Sequence, residues 1–89
     1  MQIRIKDFDW SRIEHVGEHG VEDYEVEYVI LFDKSFVCRG RDNTYCVFGV
    51  TEDGRYLFIV LAMKDGDVAR IITARDMTKR EKQYYKERR

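Results

Sequence analysis

The eight hydrophobic residues from Tyr56 to Met63, YLFIVLAM, constrain this chain more than any other stretch. A strand presents alternate side chains to opposite faces, so a run that is hydrophobic in both sets must be covered on both sides. It falls far short of the roughly 20 residues that cross a bilayer. It therefore reads as the central strand of a sheet. Asp53-Gly54 before it and Asp65-Gly66 after it are hairpin signals, because glycine supplies the positive φ of such turns. Ser35–Arg39, Thr44–Thr51 and Val68–Ala74 are the remaining strand candidates, with Gly-Arg-Asp-Asn as the first turn. These four stretches form an antiparallel meander, and helices or a partner must lie against it.

The segments before the meander read as one strand and two helices. Ile3 to Phe8 alternates, with Ile3 and Ile5 on one side and Arg4 and Lys6 on the other. Asp9, or Ser11 with Glu14 three residues on, caps a short helix through about Glu18 that would bury Trp10, Ile13 and Val16. Gly20 suits the left-handed residue that ends it. From Val21 a second helix is expected, with Val21, Tyr24, Tyr28 and Leu31 as its stripe and Glu22, Asp23, Glu25 and Glu27 on the rest of its surface. After Asp76 a charged helix follows, with Met77, Tyr84 and Tyr85 on one side. The plan is β-α-α-β-β-β-β-α, an α+β domain occupying residues 1–89 as a single unit.

Charge divides this chain into two opposed parts. Residues 70 to 89 hold eight Lys or Arg against three acids, a balance of +5, whereas residues 1 to 69 hold eight against fourteen. Such asymmetry points to a polyanion or an acidic partner. The structural alternative is a solvated C-terminal helix whose cations sit near the negative end of its dipole. The acids around residues 22–27 either stabilise a helix N-terminus or repel RNA from that side.

The N-terminus, MQIRIKDFDW, is too charged for a signal peptide, so a soluble cytoplasmic protein is expected. Cys38 and Cys46 lack metal-ligand spacing and read as packing residues. There is no Gly-rich phosphate loop and no nucleophile elbow, and neither a metal nor a cofactor is expected.

Several signatures occur in one order: Phe8-Asp9-Trp10, His19-Gly20-Val21, Gly49, Leu57 to Val60, Arg70-Ile71-Ile72-Thr73-Ala74-Arg75, then Thr78-Lys79-Arg80-Glu81 with Tyr85. In this the chain resembles the BrnT family of bacterial type II toxins, small ribonucleases with a RelE-like fold. The resemblance implies an endoribonuclease toxin that cleaves RNA and halts translation. It also implies a cognate BrnA-like antitoxin whose helical segments mask the active surface. DNA would be reached only through that antitoxin, and no membrane is involved. Glu18 stands where members usually carry Lys, and Asn43-Thr44 where they usually carry Glu-Arg. On those differences rests an alternative: a RelE-like scaffold without cleavage that acts by binding its antitoxin or another protein.

Metal-free RNA cleavage needs a base for the 2′-hydroxyl, an acid for the 5′-oxygen and cations for the phosphate. His19 is the acid/base candidate, since imidazole titrates near pH 6.5; alternatively it caps a helix end. Arg70 and Arg75 are the phosphate-binding candidates with it. They differ in parity, so in a regular strand they point from opposite faces and only one enters a given site. Arg75 is better placed, unless it pairs with a local carboxylate such as Asp76. Lys79 and Arg80 would line a phosphate track, with Arg39 and Arg41 adding to the basic surface. Tyr85 would stack on a base or donate a proton, or else belong to the core. His15 is read as a surface residue.

Overall fold

In the computed structural model, which describes residues 4–11 and 20–88, the chain forms β1 (Asp7–Asp9), α1 (Asp23–Leu31), β2 (Phe36–Arg39), β3 (Thr44–Val50), β4 (Tyr56–Lys64), β5 (Val68–Asp76) and α2 (Lys79–Arg88). This is a mixed α+β domain with a five-stranded sheet and, among the described residues, two helices. The helix expected between Ser11 and Glu18, with His15 and His19, lies outside the described residues.

The sheet order is β1-β5-β4-β3-β2, which puts the doubly hydrophobic run at its centre. The hairpins pair antiparallel, as their turns dictate. Gly66 at φ 88°, preceded by Asp65 at φ 51°, makes the tight turn from β4 to β5. β1 instead runs parallel to β5, with Asp7, Phe8 and Asp9 opposite Val68, Ala69 and Arg70. Alternation within β1 does not reveal that partner.

Each face of the sheet carries a helix. Leu57, Ile59 and Leu61 of β4, with Ala69, Ile71 and Ala74 of β5, are fully buried against Val21, Val26 and Val29 on the α1 side. Burying each such valine contributes about 1.5–2 kcal/mol. On the other side Phe48, Met77 and Tyr85 form a second cluster with Phe36, Tyr56, Phe58 and Tyr84. Tyr85 stands edge-on to Tyr56, with ring centres 6.0 Å apart.

The buried stripe of α1 differs from the expected one. Val26 and Val29 face the sheet, whereas Tyr24 is 65% and Leu31 49% exposed. Two stripes on this helix satisfy the 3.6-residue period, and close packing selects between them. Gly49 lies so near α1 that a Cβ there would fall 2.5 Å from Val29 Cγ1 and 2.8 Å from Asp33 Oδ2. That carboxylate accepts the Val50 amide at 2.9 Å and fixes the end of the helix to β3. Glu22 and Glu25 form a reciprocal cap at its start.

Candidate nucleic-acid interface

The geometry of β5 turns on one residue. Val60 lies opposite Thr73 and Leu61 opposite Ile71, so Ile72 is an unpaired bulge. An extra residue resets the alternation. Arg70 lies across from Ala62 and Arg75 across from Phe58, and both therefore fall on the α2 face of the sheet. This corrects the expectation that they diverge, which held only for a regular strand. At about 3.3 Å per residue they are roughly 15 Å apart along β5, so a bound chain would meet them at different phosphates.

Helix α2 covers only one end of that face, over Phe36, Phe48 and Tyr56. Beyond it Cys46, Thr44, Val60, Ala62, Lys64, Arg70 and Thr73 are all half-buried, and no described element lies over them. The result is an open shelf with hydrophobic patches and cations at both ends.

At one end Asp9 gathers two cations. Its Oδ2 accepts Lys64 Nζ at 2.9 Å and Arg70 Nε at 3.2 Å, while Oδ1 accepts the Ser11 amide at 2.9 Å. The Ser11 hydroxyl bond, followed by Lys64, the Ser11 amide and Arg70, holds the Asp9 carboxyl well below the usual carboxylate range. Arg70 uses Nε alone, and among the described residues its terminal nitrogens make no hydrogen bond.

At the other end Arg75 lies 4.4 Å above the Phe58 ring and forms a fork with Glu81, NH1 to Oε1 at 2.7 Å and NH2 to Oε2 at 2.9 Å. Its carboxylate partner is thus Glu81, and Asp76 gives it only a backbone carbonyl. Glu81 also accepts the Thr78 amide at 2.8 Å, and Thr78 Oγ1 accepts the Glu81 amide at 3.1 Å, a capping box that starts α2. Arg75 first, and then the Thr78 bonds, pull the Glu81 carboxyl down against the upward push of burial.

Lys79 and Arg80 are exposed on the same first turn as Glu81. Arg39, opposite Tyr45, belongs to the α1 face and lies 5.7 Å from that ring. Arg41 is exposed in the β2–β3 turn, where Asp42 and Asn43 take positive φ of 54° and 64°. The Thr44 hydroxyl bonds to the Arg41 carbonyl and closes this turn. Asn43-Thr44 therefore serves the hairpin, with Thr44 on the shelf side opposite Ala62. Tyr85, at 3% exposure, is a core residue. Cys38 and Cys46 are unbridged register partners on this face, and burial, with Cys38 beside it, pushes the Cys46 thiol up.

Four contributors lie outside the site residues expected from the sequence: Asp9, Lys64, Glu81 and Arg55. Asp9 and Glu81 stand inside the ordered signatures, and Lys64 follows from strand alternation. Nothing local marks Arg55. Its Nε and NH2 grip Asp76 at 2.6 and 3.0 Å, and its NH1 donates to the Gly20 carbonyl at 2.9 Å and to Glu25 at 3.2 Å. One guanidinium thus binds the residue after His19 and the residue after Arg75.

The family model described as "Ribonuclease toxin, BrnT, of type II toxin-antitoxin system" matches residues 9–81. No curated protein and no solved structure matches the chain.

Proposed function

Since this chain belongs to the BrnT family of type II toxin-antitoxin ribonuclease toxins, we propose that it is a metal-independent endoribonuclease that binds RNA on the open shelf beside α2. The observation that carries this reading is the Ile72 bulge, which gives Arg70 and Arg75 one face instead of two. In the reaction the 2′-oxygen attacks phosphorus and the bond to the 5′-oxygen breaks. A base takes the 2′-proton and an acid protonates the leaving oxygen, giving a cyclic phosphate and a 5′-hydroxyl. His19 serves as acid/base. Arg75 holds the scissile phosphate, exchanging part of its fork with Glu81 for the phosphate oxygens. Arg70, Lys79 and Arg80 hold the flanking backbone, and Arg41 extends the basic surface at the β2–β3 turn.

Two observations support these roles. Among the described residues the terminal nitrogens of Arg70 make no hydrogen bond, and Arg55 ties the chain neighbour of His19 to that of Arg75. Hydrophobic Val60 and Ala62, half-buried at the sheet centre, suit a helical segment of an antitoxin laid over the same shelf. That antitoxin would be BrnA-like and carry the DNA-binding part. We place the activity in the cytoplasm, where cleaved messages halt translation, and assign the architecture to the RelE-like group.

The alternative, a scaffold without cleavage, draws on one observation: both terminal nitrogens of Arg75 are already taken by Glu81. Expression of the chain alone in bacteria separates the two readings. The nuclease predicts growth arrest with fragmented transcripts, abolished by Arg75→Ala, and cleavage of labelled single-stranded RNA by the purified protein in excess chelator. Intact transcripts with normal growth would end it.

A further inference from the structure

The outward side of α1 carries a second surface, unrelated to the shelf. Tyr24, Tyr28 and Leu31 recur at helical spacing and continue into Phe32, which is 74% exposed. Four large apolar side chains in one row are more than scattered surface hydrophobics. The Tyr28 and Phe32 rings pack at 5.8 Å. Between this row and the β3–β4 turn runs a groove of about 280 Å3, whose other wall is Thr51, Glu52 and Asp53.

Every charge lining the groove is negative: Glu25, Glu27, Glu52 and Asp53. Glu25 is engaged by Arg55, but no ion pair of Glu27, Glu52 or Asp53 forms among the described residues. This sign repels nucleic acid and anionic lipid. A second copy meeting it about a two-fold axis would bring like charges together. The complement is a cationic segment with apolar anchors one helical turn apart. We propose that this groove docks a cationic amphipathic helix of a protein partner, with its apolar side chains between Tyr24, Tyr28 and Phe32 and its Lys or Arg residues against Glu27, Glu52 and Asp53. Because α1 packs on the sheet face opposite Arg70 and Arg75, docking there leaves the shelf open. The inference is independent of the ribonuclease reading.

The test uses the whole chain and a fluorescein-labelled helical peptide of leucine and lysine, read by anisotropy at physiological salt. Saturable one-to-one binding is expected. It should weaken about tenfold in Phe32→Ser and in the double variant Glu52→Lys, Asp53→Lys. Arg70→Ala and the charge-matched double variant Asp7→Lys, Glu87→Lys at exposed positions should bind as the parent does, and a peptide with glutamate for lysine should not bind. The exposed positions leave the fold intact, checked by circular dichroism. Equal binding by the glutamate peptide or undiminished binding in the groove variants would overturn the proposal. So would sedimentation showing a dimer that Phe32→Ser dissolves.

Discussion

Among the described residues, Arg55 is the guanidinium that bridges three separate segments. It donates hydrogen bonds to Asp76, Gly20 and Glu25, so it joins the end of β5, the turn before α1 and α1 itself. A lysine delivers one point charge where a planar fork is required. Arg55→Ala should cost about 2 kcal/mol in urea denaturation, the scale of charge-assisted bonds partly open to water. Arg55→Lys should recover less than half of that loss. At the opposite end of the shelf, Asp9 neutralises one of the two cations it binds. Asp9→Asn should therefore tighten single-stranded RNA binding several-fold in filter-binding assays. The same change should remove an acid transition, because the depressed Asp9 carboxyl lends stability above its unfolded value near 3.8 and loses it as pH falls through the folded value.

Among the elements, α2 is started by Thr78 and Glu81 and anchored by the fork to Arg75. The Glu81 carboxyl is depressed from 4.5, so its contribution is complete above about pH 4.5 and declines as pH drops through the lower folded value. Glu81→Gln keeps part of the cap and loses the ion pair. It should cost about 1 kcal/mol near neutrality, and melting curves should show the gap from the parent closing in acid. What was legible in the sequence follows the same division into elements. The meander, its turns and the central strand are written in alternation and in Asp-Gly pairs, which act locally. The valine stripe of α1 was not legible, because Tyr24, Tyr28 and Leu31 obey the period as well as Val26 and Val29 do. Only the close approach of Gly49 decides. Gly49→Ala should thus destabilise by about 2 kcal/mol, since the added methyl would fall 2.5 Å from Val29 Cγ1, 2.8 Å from Asp33 Oδ2 and 3.1 Å from Ser35 Cβ. The Ile72 bulge was equally hidden: an inserted residue in β5 is visible only against the register of β4. With it went the common facing of Arg70 and Arg75, which carries the functional reading.

For the molecule as a whole, the near-neutral sum conceals a vector, with acids around α1 on one side of the sheet and cations on the shelf of the other. Among the described residues five cations border that shelf, Lys64, Arg70, Arg75, Lys79 and Arg80, against two acids, Asp9 and Glu81. A surplus of about three on single-stranded RNA gives a slope near −2 in log K against log salt, so affinity should fall about twentyfold between about 50 and 200 mM salt. Whether position or net charge governs the binding is decided by comparing two variants that each alter charge in the same sense. Asp9→Asn removes an anion from the shelf, whereas Asp23→Lys replaces an anion with a cation at the start of α1, across the sheet. If RNA reads the shelf, the first steepens the slope and the second leaves it unchanged; a response to Asp23→Lys as large as that to Asp9→Asn would mean that overall charge, and no built surface, draws the RNA.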